Sequence, residues 1–113
     1  MDYPTALFHA CRNKYENIVK ILIENQADIN IKNQYGESVL LNVCEDNFDK
    51  IAQILIENGA DINISDIFGS TSLYWACQNY HEKIVKLLIE HNVNPCDHLL
   101  YQKLLKEHNI VKE

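Results

Sequence analysis

Apolar residues in the segments NIVKILIE, KIAQILIE and KIVKLLIE fall at Ile18, Ile21, Leu22, then Ile51, Ile54, Leu55, then Ile84, Leu87, Leu88. This i, i+3, i+4 spacing predicts an amphipathic helix with one buried face in each segment. A shorter apolar run precedes each one, from Thr5 to about Cys11, Ser38 to about Cys44 and Thr71 to about Cys77. Thr5, Ser38 and Thr71 stand where an N-cap hydroxyl accepts a bond from a free first-turn N–H, so they mark helix starts. Glu16, Asp49 and Glu82 open the longer segments, where the helix dipole favours an acid. Glu16 with Lys20 and Glu82 with Lys86 are spaced as i, i+4 pairs, each contributing about 0.2–0.5 kcal/mol. Asn25-Gln26, Asn58-Gly59 and His91-Asn92 are stop positions. After them, Ala-Asp-Ile-Asn and the turns Asn33-Gln34-Tyr35-Gly36 and Asp66-Ile67-Phe68-Gly69 read as extended segments around a tight bend. One unit is therefore helix, turn, helix and a projecting hairpin-like finger.

The units recur with a fixed period. ILIENQADINI at 21–31 returns as ILIENGADINI at 54–64, Cys11 steps to Cys44 and Cys77, and Gly36 steps to Gly69, in each case by 33 residues. Such a period marks a stacked repeat, in which neighbouring copies bury apolar faces that no copy buries alone. The chain divides into repeats at about 1–32, 33–65 and 66–98 of a single domain spanning 1–113. At the third finger Val93-Asn94-Pro95-Cys96 replaces Ala-Asp-Ile-Asn, and Pro95 removes a backbone donor. HLLYQKLLKEHNI at 98–110 then predicts a capping helix with Leu99, Leu100, Leu104 and Leu105 toward one side. Nothing comparable precedes repeat one. Two readings of that open end stand: the chain is the C-terminal piece of a longer solenoid, or the end meets another molecule, a second copy of the chain included.

The residues Asp66, Gly69, Thr71 and Leu73 in D-x-x-G-x-T-x-L order, Ala-Cys after them, and the I-V-x-x-L-I-E-x-G-A-D-I-N pattern resemble the ankyrin repeat over roughly residues 4–96. The resemblance implies an all-α solenoid of stacked helix–turn–helix units with hairpin-like finger loops. This sequence departs from the family pattern in three places. Ala6, Val39 and Ser72 replace the familiar Pro; Phe8, Leu41 and Tyr74 replace the His; Lys14, Asn47 and Tyr80 replace the Gly between helices. At those last positions Lys and Tyr cost on the order of 1 kcal/mol if φ is positive.

The resemblance also implies where a partner binds: fingertips and inner helices form a concave surface. The fingertip positions are Gln34, Tyr35 and Glu37, then Ile67, Phe68 and Ser70. The inner-helix positions are His9, Arg12 and Asn13, then Asn42, Glu45 and Asp46, then Trp75, Gln78 and Asn79. These vary between copies whose core is nearly constant, as expected when recognition is grafted on a scaffold. Trp75 replaces polar residues at this register and is expected to be exposed, supplying aromatic anchors with Tyr35 and Phe68, while Glu45 and Asp46 add an acidic rim. The family further implies that Asn30 and Asn63, each with a Leu eight residues earlier, are in the setting that asparaginyl hydroxylases modify in animals. A turn-holding amide is the alternative role of both.

Composition excludes several classes. The net charge of −6 opposes phosphate-backbone binding, which runs on Lys and Arg, so no nucleic acid is expected and a charge-selected partner is basic. No run of 18 or more apolar residues exists, and MDYPTALFHACRN lacks a signal-peptide pattern. The expectation is a protein of the cytoplasm, or the nucleus, with no membrane contact. Cys11, Cys44 and Cys77 share one register and read as small core residues. His91, Cys96, Asp97 and His98 are metal-ligand types, but their spacing matches no common zinc motif. With three glycines there is no phosphate loop, and no nucleophile elbow or triad spacing is present. No catalytic residue, metal or cofactor is expected. The leading function is a non-catalytic module that binds a protein or peptide on its concave face. The alternatives are a segment of a longer solenoid and an acidic inhibitor covering a basic protein with Glu37, Glu45 and Asp46.

Overall fold

A computed structural model describes residues 4–112. Its elements are α1 (Pro4–Arg12), α2 (Glu16–Glu24), α3 (Val39–Glu45), α4 (Asp49–Glu57), α5 (Ser72–Gln78), α6 (Glu82–Glu90) and α7 (Leu99–Lys112). The inner row is α1, α3, α5 and the outer row α2, α4, α6, each helix packed on the next of its row, with α7 against α6. The stack measures 46 × 28 × 19 Å.

Local chemistry repeats with the sequence. Ser38 Oγ accepts from Leu41 N–H at 3.1 Å and Thr71 Oγ1 from Tyr74 N–H at 3.2 Å, so α3 and α5 start where a hydroxyl satisfies a free donor. Thr5 does not play this role: α1 already begins at Pro4, whose fixed φ suits a first helical position. The side chain of Thr5 lies outside the described residues. The outer helices end alike, with Asn25 Nδ2 donating to Ile21 O at 2.7 Å, Asn58 Nδ2 to Ile54 O at 2.8 Å and His91 Nδ1 to Leu87 O at 3.0 Å. Beyond each, Gln26, Gly59 and Asn92 take positive φ, and the next residue, Ala27, Ala60 or Val93, donates to Leu22 O, Leu55 O or Leu88 O. This is the left-handed helix stop that satisfies last-turn carbonyls. The inner-to-outer turns do the same with Lys14, Asn47 and Tyr80 at φ 60°, 62° and 55°.

Leu40, Val43, Cys44, Ile51, Ala52 and Leu55 of repeat two and Leu73, Ala76, Cys77, Ile84, Val85 and Leu88 of repeat three form one buried core. Repeat one departs from the expected burial. Ile18 is 47% exposed and Ile21 is also exposed, whereas Ile51 and Ile84, at the same register as Ile18, are 2% and 0% exposed. The faces of α4 and α6 that carry Ile51 and Ile84 are covered by the repeat before them; α2 lacks such a neighbour among the described residues.

In the cap, Leu100, Tyr101 and Leu104 are the buried residues, while Leu99 stands in solvent. Leu105 packs partly buried against the core, so of the four expected leucines Leu99 alone departs; His98 caps the helix, accepting from Leu100 N–H through Nδ1 at 3.1 Å. The expected Glu16–Lys20 and Glu82–Lys86 pairs do not close; among the described residues Lys83 Nζ meets Asp49 Oδ2 at 4.0 Å between repeats. At such exposure an ion pair contributes about 0–1 kcal/mol.

Candidate functional site

Each complete finger is braced from within. Asn33 Oδ1 accepts from Tyr35 N–H and Glu37 N–H at 2.9 and 3.0 Å. Asp66 Oδ1 accepts from Phe68 N–H and Ser70 N–H at 2.9 Å each. Single antiparallel bridges, Lys32 with Ser38 and Ser65 with Thr71, close the two fingers at their bases. The fingers also touch: Ile67 N–H donates to Tyr35 O at 3.2 Å. A turn fixed by such bonds presents its tip with little further loss of backbone freedom.

The tips are apolar and project. Tyr35 and Ile67 are exposed, and Phe68 is 81% exposed. Glu37 is turned inward, half-buried, with Oε1 accepting from Asn33 Nδ2 at 2.8 Å. Trp75 corrects the expectation of a free indole: it is half-buried, edge-on to Tyr74 with ring centroids 5.1 Å apart, and its Nε1 is buried without a hydrogen-bond partner among the described residues. An indole this large folds onto the adjacent ring of its own helix instead of projecting. Gln78 and Asn79 are exposed, and Asn79 Nδ2 reaches back to Glu45 O at 3.3 Å.

Between the first finger and the inner helices α1 and α3 lies a cavity of about 280 Å³, lined by Tyr35, Glu37, Asn42, Glu45 and Asp46 together with Arg12. Ile67, Phe68, Trp75, Gln78 and Asn79 lie outside it. Phe8 and Phe48 complete the wall. Neither stood among the expected site residues, although Tyr15, Phe48 and His81 form a ring-bearing series at the 33-residue period. Burial, then the neighbouring charges of Asp46, Glu37 and Asp66, raise the Glu45 carboxyl above its ordinary pKa. Loss of water around the partly enclosed carboxylate is the first cause, and repulsion from the neighbouring carboxylates adds to it.

Burial pushes the Cys11, Cys44 and Cys77 thiols up to about 12, as expected for core positions. Cys96, partly buried, packs against the core at the junction with the cap. Among the described residues, His91, Cys96, Asp97 and His98 do not converge on a point that could hold a metal ion. The Asn30 and Asn63 side chains bond the next repeat and not their own turns: Asn30 Oδ1 accepts from Asp61 N–H at 2.8 Å and Asn63 Oδ1 from Asn94 N–H at 2.9 Å, while the turns are held by Asp28 Oδ1 and Asp61 Oδ1, which accept from Asn30 N–H at 3.0 Å and Asn63 N–H at 2.9 Å. No helix among the described residues is long and apolar enough to cross a membrane.

The family model of ankyrin repeats, in three copies, matches residues 2–66 and 40–111. The chain belongs to the ankyrin-repeat family. Ankyrin repeats are generally protein–protein interaction modules and are typically non-catalytic. A comparison with curated proteins found no significant match.

Proposed function

We propose that this ankyrin-repeat chain is a non-catalytic recognition module of the cytoplasm or nucleus that binds a protein or peptide on its concave face. The observation that carries the reading is the pair of braced fingers holding Tyr35, Ile67 and Phe68 in solvent. Large apolar side chains held rigidly at a surface are what interface hot spots use, since little freedom remains to be lost on binding. Asn42, Glu45, Asp46, Gln78 and Asn79 supply the polar ground beside them, the half-buried Trp75 adds aromatic surface, and Glu37 acts by shaping the first finger.

The test is affinity capture from source-cell extract by the wild-type chain and by a Tyr35→Ala, Phe68→Ala variant with unchanged helical signal and melting. A partner retained by the wild type and lost by the folded variant supports concave-face recognition. Equal capture by both sinks it.

A second reading has its own observation: Tyr15, Ile18 and Ile21 leave an apolar face on repeat one that is covered at the same register in the later repeats. On this reading the chain continues a longer solenoid or associates with itself through that face. Ile18→Ser, Ile21→Ser would then abolish a concentration-dependent rise in sedimentation coefficient shown by the wild type. A wild type that sediments as a monomer at every concentration removes self-association.

A further inference from the structure

We propose that the cavity beneath the first finger receives a Lys or Arg side chain of the bound protein, whose neighbouring apolar residue lies on Ile67 and Phe68. This rests on the concave-face reading and names the partner chemistry within it.

The cavity's size and walls suit such a side chain. About 280 Å³ accommodates a long, narrow stem, and Phe8, Tyr35 and Phe48 border it with rings. Ring faces attract a cation through their quadrupole, and a guanidinium also stacks on them. The chain shows this preference already at its edge, where Lys14 Nζ lies 4.5 Å from the centroid of the Phe48 ring.

Charge gives the direction. Glu37, Glu45 and Asp46 line the cavity, and among the described residues Arg12 is the one basic residue lining it. Arg12 does not neutralise them: among the described residues no Lys or Arg nitrogen comes within 4.0 Å of these carboxylates. A cation placed among these groups relieves the repulsion and forms charge-assisted bonds, whereas an acidic side chain adds to it. The exposed Ile67 and Phe68 stand on the next finger, tied to Tyr35 by the Ile67 N–H bond to Tyr35 O, so cavity and apolar tip are one continuous surface. An extended segment with a basic residue beside an apolar one matches both.

The experiment is a selection of random peptides on the immobilised wild-type chain. Selected peptides are then measured against three folded variants: Glu45→Gln with Asp46→Asn, Tyr35→Ala with Phe68→Ala, and Glu57→Gln with Glu90→Gln. The last pair removes the same charge from exposed outer-helix positions. The expected result is enrichment of Lys or Arg at a fixed place next to an apolar residue. Binding should fall at least about tenfold in the first variant, the loss of one charge-assisted contact, and hold in the third. Replacing the basic residue by citrulline or norleucine should produce the same fall. Peptides without a basic residue that lose binding only in the Tyr35, Phe68 variant would overturn the cavity assignment and leave concave-face recognition standing. Equal loss in the first and third variants would reduce the effect to net charge and also overturn it. Peptides indifferent to all variants, or no enrichment, would overturn both.

Discussion

Asn30 Oδ1 accepts a hydrogen bond of 2.8 Å from the backbone N–H of Asp61, across the boundary between the first and second repeats. The same bond joins Asn63 to Asn94 at 2.9 Å, so the verbatim Ala-Asp-Ile-Asn phrase specifies how copies are fastened as well as how each one folds. Asn30→Ala should lower unfolding free energy by about 0.5–1.5 kcal/mol, the net worth of one such bond. Asn30→Asp, which keeps the acceptor, should lose less. Urea unfolding of the three chains checks the order.

Gly36 and Gly69 occupy equivalent left-handed turns, at φ 74° and 81°, yet their surroundings differ. A Cβ on Gly36 would lie 3.0 Å from both Ile67 N and Ile67 Cγ2, while among the described residues no atom beyond its two chain neighbours comes within 4 Å of one on Gly69. Both alanine variants incur the left-handed backbone penalty of about 1–2 kcal/mol. Gly36→Ala must in addition push the second finger away, so thermal unfolding should show it to be the more destabilised.

Leu55 is fully buried at the centre of the stack. Leu55→Ala should lower stability by about 2–5 kcal/mol, whereas Ile21→Ala, on the open face, should stay well below that. Comparable losses in urea unfolding would mean that the open face is covered in solution.

Burial sets thiol reactivity. Cys11, Cys44 and Cys77 are buried with pKa near 12, and Cys96 is half-buried. Thiolate is the reactive species, so native protein in mildly alkaline iodoacetamide should be modified at Cys96 first, the other three following only on unfolding. Peptide mass spectrometry reads the order directly.

The Glu45 carboxyl binds its proton more tightly folded than unfolded. Between its unfolded and folded pKa the native state holds more protons, so stability contributed by this group is present below the unfolded pKa and is lost as pH rises through the folded one. Glu45→Gln should therefore melt at or above the wild-type temperature at neutral pH, the gain disappearing as the pH drops below the carboxylate range. A melting point lowered at neutral pH would show that ionised Glu45 is stabilising.

The period, the helices and the finger turns were legible because each is written by residues close in sequence: a hydroxyl before α3 and α5, an Asn at the end of α2 and α4, a Gly at φ > 0 in each finger. Burial was legible only where a copy stands on both sides. Ile18 and Ile51 are the same residue type in the same local pattern, and their exposure differs because of what lies one repeat away. The concave face was readable as a set of positions from the family resemblance, yet side-chain direction was not: Trp75 turns onto its chain neighbour Tyr74 by a choice of rotamer that residue types do not encode, and the entry of Phe8 and Phe48 into the cavity wall depends on neighbours distant in sequence. His81 Nδ1, which donates to Cys44 O at 3.0 Å one repeat earlier, escaped pattern reading for the same reason.

The most direct test of concave-face recognition is site-specific photocrosslinking in source-cell extract, with p-benzoylphenylalanine at position 68 in one chain and at position 18 in another. A covalent adduct with a distinct protein is expected from position 68 and none from position 18. An adduct from position 18 alone would contradict it and assign the open face of repeat one as the working surface.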